Sequence, residues 1–326
     1  MRAVLIINPT SGISTVTDKP MSPEETEIAI LTGLRTYDIE PELYHTTPED
    51  TGQGLATRAA AAHAELVIAA GGDGTIHAVA SGLIGTQSTL GIIPTGTMNN
   101  LAHSLNIPDT IPAACIALAT GETRLIDVGK INEHFFLEVA GIGLEAALFP
   151  AAEEVKSPGL LSTLHGVISG VKTLLSFKPT RLRISYDERQ RRPYEAIQVT
   201  ICNAPFYGIH FQVASNVSMD DGLLDVIIYR NFSKLEYIQH AISISQGKRL
   251  YQPKIRHRRA KSLYINADQA MEIHADGEPL GYTPAQITIV PAALRVRVPG
   301  VSAPGLRHDE KVAAKSMPAQ ISSRNL

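Results

Sequence analysis

The chain has 326 residues, with 29 Lys+Arg against 32 Asp+Glu and a net charge of -3, which gives no global case for nucleic-acid binding. A hydrophobic content of 44% excludes wholesale disorder. Two cysteines, Cys115 and Cys202, exclude a disulfide framework or a four-cysteine zinc site, and no apolar run reaches the ~18 residues of a membrane span, so the chain reads as reduced and cytoplasmic.

The length suits about two domains. Over the first ~125 residues, strand and helix patterns alternate. Residues 4–7 form an apolar run that ends in the turn Asn8-Pro9-Thr10-Ser11-Gly12. Ser22-Pro-Glu-Glu25 is a helix start: a serine cap, proline at the first helical position and glutamate three residues on. A short strand at 42–45 and an alanine-rich helix over 51–63 follow. The apolar strand 66–70 breaks at Gly71-Gly72-Asp73-Gly74-Thr75, and a helix runs from there to 83. Strand 90–94 leads to a second turn, Pro94-Thr-Gly-Thr97, and another helix. Fully apolar strands separated by helices imply an open parallel sheet covered on both faces.

Beyond residue 125 the strands alternate apolar and polar, at 181–186, 196–202, 223–229, 262–266, 271–274, 286–290 and 294–298. This pattern predicts an antiparallel β-sandwich. Two helices interrupt it, at 160–177 and 233–246. The expected domains are therefore an α/β unit over 1–125 and a sandwich over 126–299. The tail from Val301 is polar, with prolines and serines, and reads as disordered by composition.

Glycines at a strand-to-helix turn let backbone approach a phosphate, and the free amides of the next helix supply donors. A tight turn with no ligand is the bland alternative for Gly71–Thr75. A second glycine- and hydroxyl-rich turn at the end of the next strand favours the ligand reading. No Walker A pattern occurs.

In this order, Asn8–Gly12, Gly71–Thr75 and Pro94–Thr97 resemble the diacylglycerol kinase catalytic family of soluble bacterial lipid kinases, related to sphingosine and ceramide kinases. Leu125-Ile-Asp127-Val-Gly129, Asp220-Asp221-Gly-Leu223-Leu-Asp225 and Asp276-Gly-Glu278 extend the resemblance over residues 1–300. It implies ATP and Mg²⁺ in a cleft between the two domains, and a C-terminal segment, residues 300–326, that returns to the first domain. Asn8, Pro9, Thr10, Ser11, Gly12, Thr46, Gly71, Gly72, Asp73, Gly74, Thr75, Ile76, His77 and Thr97 would contact the nucleotide. Ser218, Asp221 and the carbonyl of Leu223 would hold a structural Mg²⁺. Asp73 and Asp127 would join a water network to the catalytic metal, and Asp276 would support the metal or the loop. Glu278 would be the general base. One departure is Asn99-Asn100, where bacterial diacylglycerol kinases often carry Asn-Asp; it weakens the case for diacylglycerol itself as acceptor.

Phosphoryl transfer depends mainly on positioning and charge neutralisation, but an attacking hydroxyl must still lose a proton, and a carboxylate in reach can take it. Gly141-Ile-Gly143-Leu-Glu-Ala146 fits a dinucleotide fingerprint but lacks the acidic ribose partner, and is read as a packing turn. The 160–177 helix, with apolar residues at Leu161, Leu164, Ile168, Val171 and Leu175, is expected to pack on the sandwich; a lipid-facing wall is the alternative. Lys248, Arg249, Lys254, Arg256, Arg258, Arg259 and Lys261 form a basic stretch. It is either a solvated strand face or a point of attraction to anionic membrane, the reading favoured here.

The leading function is an ATP-dependent kinase acting on a lipid hydroxyl at a membrane surface, with peripheral membrane association. An NAD kinase-like phosphotransferase is the rival, since Asn132-Glu133 mimics that family's Asn-Glu pair. A catalytically inactive nucleotide-binding regulator is the third. The identity of the lipid and the oligomeric state, a homodimer among the options, stay open.

Overall fold

A computed structural model describes residues 1–10, 21–148, 160–178, 180–187, 192–207, 211–212, 217–230, 232–245 and 254–300. Ser11, Gly12, Pro179, Lys248, Arg249 and the 301–326 tail lie outside the described residues.

The N-terminal half contains β1 (Ala3–Ile7), α1 (Pro23–Arg35), β2 (Pro41–His45), α2 (Gln53–Ala61), β3 (Leu66–Gly71), α3 (Asp73–Leu83), β4 (Thr89–Pro94), α4 (Asn100–Ser104) and α5 (Ile111–Thr120). Ser22 caps α1 through a complete capping box: its hydroxyl accepts from Glu25 N, and Glu25 accepts from Ser22 N. The strands are parallel in the order β2-β1-β3-β4. Every residue of β1 and β3 is buried, as continuous apolar runs require in a sheet covered on both faces. Ile30 and Leu34 of α1 join Cys115 and Leu118 of α5 in one core cluster with alternate β1 and β3 residues, whereas α2, α3 and α4 form another with the rest.

The second half contains β5 (Glu122–Ile131), β6 (His134–Phe136), β7 (Val139–Gly143), α6 (Leu160–Ser176), β8 (Thr180–Tyr186), β9 (Arg192–Cys202), β10 (Phe206–Tyr207), β11 (Phe211–Gln212), β12 (Leu224–Arg230), α7 (Lys234–Ser245), β13 (Ile255–Ala260), β14 (Ser262–Ala267), β15 (Glu272–Ala275), β16 (Glu278–Tyr282) and β17 (Ala285–Val298). Antiparallel pairing runs β16-β15-β7-β9-β8-β14-β17, and β12 and β13 branch from β9. This is the antiparallel β architecture expected from the alternating strands.

The sequence pattern divides 286–298 into two strands. They are one strand, β17, with a bulge between Val290 and Leu294. Its first half belongs to the sandwich beside β14, and its second half pairs in parallel with β4 through Arg295 and Val296. The return to the first domain thus already takes place within 294–298. Asp127 sits at the bulge, 3% exposed, where its Oδ1 accepts from Ala292 N at 2.8 Å and its Oδ2 from Gly222 N at 2.6 Å. Gly222 and Ala292 both have positive φ, so a buried carboxylate satisfies two amides in strained turns. Each Asp127 oxygen accepts from one backbone amide, so the carboxylate joins the β17 bulge to the Gly222 turn.

Gly141 and Gly143 lie within β7 and form no turn. A β-carbon on Gly141 would come within 2.1 Å of His274 Nε2, so glycine is required for close packing, in line with the non-nucleotide reading. Helices α6 and α7 cover the outer face of the β7–β9–β12 sheet, where Leu174, Phe177 and Tyr237 pack against Ile197, Tyr229 and Phe232.

Candidate active site

Three strand ends of the N-terminal sheet and the β15–β16 hairpin of the sandwich face one cleft of about 610 Å³. Asn8, Pro9, Thr10, Thr46, Gly74, Thr75, His77 and Glu278 line it, joining residues more than 200 positions apart in the chain. Glu133, noted in the sequence only for its Asn-Glu pair, also lines it, as do Thr47, Gln53, Ser81, His134 and Phe135, which the sequence reading did not select. They sit on segments that carry no glycine or acidic signature.

The first two turns are cross-linked. Asn8 Nδ2 donates to Thr75 Oγ1 at 3.2 Å, and Asn8 Oδ1 accepts from Thr10 N at 2.9 Å. Gly71 admits no side chain, because its β-carbon would fall 2.5 Å from Thr75 Cβ. Gly96 packs on the other side, where a β-carbon would meet Gly72 Cα at 2.5 Å. Gly74 differs: no protein atom lies within 4 Å of a β-carbon there. The glycines at 71 and 96 therefore serve loop-to-loop packing, while Gly74 leaves space in the cleft itself.

Five expected nucleotide contacts, Gly71, Gly72, Asp73, Ile76 and Thr97, do not line this cleft. Ile76 is 1% exposed and points into the hydrophobic core with Val79 and Leu83, because it faces the sheet side of α3. Thr97 is exposed at the tip of its loop and does not line the cleft.

Asp73 heads α3 and reaches across to α4, where Oδ2 accepts from Asn99 N at 3.0 Å and Oδ1 from Asn100 N at 2.7 Å. A carboxylate at these free amides satisfies donors that the helix itself cannot. Asp73 thus fixes the second loop against the first.

Asp276, with φ 44°, takes three backbone donors: Leu137 N at 2.6 Å on Oδ2, and Glu138 N at 3.0 Å and Val139 N at 2.8 Å on Oδ1. Its Oδ2 also lies 3.2 Å from His77 Nε2. Of the two roles expected of Asp276, support of a loop is the one these contacts supply: the carboxylate pins the β6–β7 connection and pairs with His77 of α3.

Burial by itself lowers the His77 imidazole, but the hydrogen bond and charge of Asp276, the charge of Glu278 and the Phe135 carbonyl outweigh it and hold the imidazolium form above its ordinary pKa. A folded-state pKa raised above the unfolded value of about 6.5 contributes stability that is fully present below that value and fades as pH rises through the folded pKa. The melting-temperature gap between wild type and His77→Gln is therefore expected to be widest near pH 5 and to close at alkaline pH. Thermal scans of both proteins across that range check this, and a gap that grows with pH contradicts it.

Glu138, which sequence reasoning missed, stands behind this wall and is 8% exposed. Burial, then the charges of Asp276 and Asp73, push its carboxyl well above the usual range, against hydrogen bonds from the Asn100 side chain and Leu101 N. The only signal in the sequence was a single glutamate in the apolar run Phe135-Phe-Leu-Glu-Val139. Asn100, 5% exposed, gives its amide NH₂ to Glu138 and leaves Oδ1 buried with no protein partner.

These groups bear on the expected metals. Among the described residues no three His, Cys, Asp or Glu side chains are spaced to grip an ion directly. Near the cleft, an acidic wall with one unpaired buried acceptor fits a Mg²⁺ that keeps its waters, which is that ion's habit. The side chains expected at the structural Mg²⁺ site are engaged with neighbours and with arginines. Asp221 pairs with Arg259 and accepts from Leu223 N at 3.1 Å, and Ser218 donates to Asp220. Asp220 in turn takes Arg124 at 2.6 Å. Arginines already neutralise both carboxylates.

The Asn132-Glu133 pair is a hairpin turn between β5 and β6. Asn132 has φ 51°, and its Oδ1 accepts from Gln286 N of β17 at 3.0 Å.

Comparison with known proteins agrees with this layout. Residues 2–131 match the diacylglycerol kinase catalytic domain family, and residues 138–298 match the YegS C-terminal NAD kinase beta sandwich-like domain. A diacylglycerol kinase of Bacillus subtilis (strain 168) is 30% identical over 91% of this chain and 96% of its own length. One from Staphylococcus epidermidis (strain ATCC 12228) is 29% identical over 87% of this chain and 88% of its own. Among solved structures, a diacylglycerol kinase from Bacillus anthracis str. Sterne superposes with a TM-score of 0.69 at 24% identity, covering 91% of this chain and 96% of that one. Yeast NADH kinase, solved with NADH, superposes at 0.51 and 14% identity over 99% and 90%. At these identities both likenesses concern the fold.

Proposed function

For a chain that belongs to the diacylglycerol kinase family, and is thereby a lipid-kinase-type phosphotransferase, we propose that the reaction is transfer of the γ-phosphoryl group of ATP, with Mg²⁺, to the hydroxyl of a lipid. The observation that carries this reading is the single cleft in which hydroxyl and amide donors of the N-terminal turns face Glu278 of the sandwich.

Asn8, Thr10, Thr46, Gly74 and Thr75 bind the nucleotide, with the free amides at the start of α3 directed at its phosphates. Mg²⁺ neutralises charge on the phosphates when bound. Glu278 accepts the proton of the acceptor hydroxyl at its carboxylate. His77, held by Asp276 and favoured in its protonated form by the carboxylates around it, offsets part of the negative charge around Glu278 and the phosphates when protonated. Asp73 and Asp276 hold the two walls at working distance.

Labelled phosphate transfer from ATP is measured with a total lipid extract in vesicles and, separately, with soluble NAD. Phosphorylated lipid is the expected product. Phosphorylated NAD without lipid product overturns the acceptor assignment, and ATP binding without transfer to either points to a regulator.

Gly74→Val provides a clean test of the nucleotide side. The added methyls enter open cleft space, so the fold is expected to stay intact while ATP binding weakens by at least about tenfold, the equivalent of ~1.4 kcal/mol. Calorimetric titration with ATP checks this alongside a thermal scan. Gly96→Val, driven into Gly72, is expected to destabilise the fold instead.

A further inference from the structure

We propose that the outer face of α6 and α7 is the surface on which the protein lies flat against an anionic lipid bilayer. Ile168, Val171 and Leu175 of α6 are 58%, 50% and 72% exposed, and their spacing of three and four residues puts them in one stripe. This corrects the expectation that these residues pack on the sandwich: Leu174 and Phe177 do that, and the stripe faces away. On α7, Leu235 and Ile242 are 64% and 53% exposed and two turns apart. The helices meet where Lys234 Nζ donates to the Leu175 carbonyl at 2.5 Å. Exposed apolar side chains gathered in one place mark a docking surface.

Charge identifies the occupant. Helix α6 contains no Asp or Glu, and the one acid of α7, Glu236, is paired with Lys254 at 2.6 Å. Lys172 and Lys178 are exposed beside the stripe. The described part of the basic stretch does not rim this face: Arg259 and Lys254 serve internal ion pairs, and Arg256 and Arg258, opposite Ile228 and Val226, project from the other side of the sheet. An apolar stripe flanked by Lys172 and Lys178, on a helix without acids, suits anionic headgroups over acyl chains and opposes a second copy of itself. No helix among the described residues is long and apolar enough to cross a membrane, so the helices lie in the interface plane.

The purpose of such a face rests on the lipid-acceptor reading, but its test does not. The chain has no tryptophan, so Leu175→Trp installs a single reporter. Its emission is expected to shift to the blue, and to be quenched by brominated lipid, on adding vesicles of phosphatidylcholine with a third phosphatidylglycerol. Ile116→Trp, on the exposed side of α5, is expected to show neither change. Combined replacement of Ile168, Val171 and Leu175 by Ser is expected to weaken vesicle binding by about tenfold or more, with melting temperature and activity on detergent-dispersed lipid unchanged. Unaltered Leu175→Trp emission, or a blue shift that grows with protein concentration in the absence of lipid, overturns the proposal; the latter would identify a second copy as the occupant. Vesicle binding without phosphorylation of any lipid leaves the docking face standing and overturns the acceptor reading instead.

Discussion

Glu278→Gln is expected to lower kcat by about 10²–10⁴-fold, the contribution of a positioned general base, while ATP affinity stays close to wild type. Gln keeps the size and hydrogen-bonding reach of the side chain and removes only its basicity. Glu278 is exposed at the start of β16 and lines the cleft, so the substitution leaves no buried group unsatisfied. It also removes a charge that favours the His77 cation, so a modest fall in the His77 pKa accompanies it. Steady-state rates with lipid, set beside calorimetric ATP titration, make the measurement. A variant with wild-type kcat would remove Glu278 from the chemistry.

Asp276→Ala is expected to act through the fold. It strands three backbone amides, those of Leu137, Glu138 and Val139, and removes the partner of His77. Each unsatisfied buried donor costs about 1–3 kcal/mol, so a loss of at least ~3 kcal/mol in unfolding free energy is expected. Asp276→Asn is the more incisive variant. Asparagine tolerates the positive φ, but one carboxylate oxygen becomes an NH₂ group that faces a donor whichever way the amide is flipped. A loss of about 1–3 kcal/mol is expected there. Chemical denaturation of both variants checks the ranking, and near wild-type stability for Asp276→Ala would show that the loop reorganises at little cost.

Much of the architecture was legible without coordinates. Runs such as Val4–Ile7 and Leu66–Ala70 can be strands only in a sheet buried on both faces, and Ser22-Pro-Glu-Glu25 carries its helix start in local hydrogen bonds. Both signals are short-range, and short-range physics is written in short stretches of sequence. The turns around Asn8, Gly71 and Gly96 were likewise visible, because close approach of backbone to backbone or to a ligand demands glycine.

The distribution of labour among the carboxylates was settled only by tertiary contact. Asp73, Asp127 and Asp276 stand in similar short motifs, yet their oxygens are taken by amides 27, 165 and 139 residues away. Glu138 became part of the candidate site only because Asn100, Asp73 and Asp276 converge on it. The faces of α6 have the same origin: a 3.6-residue period announces that a helix has an apolar side, but whether that side meets protein or solvent depends on where the sheet lies. Sequence by itself determined most of the elements, the order of the α/β and antiparallel halves and the glycine-rich turns, since each is specified by neighbours along the chain. The tertiary structure decided which acids face the cleft, which acids hold it together, and which apolar stripe is left exposed, since burial and charge pairing are properties of residues brought together from distant parts of the chain.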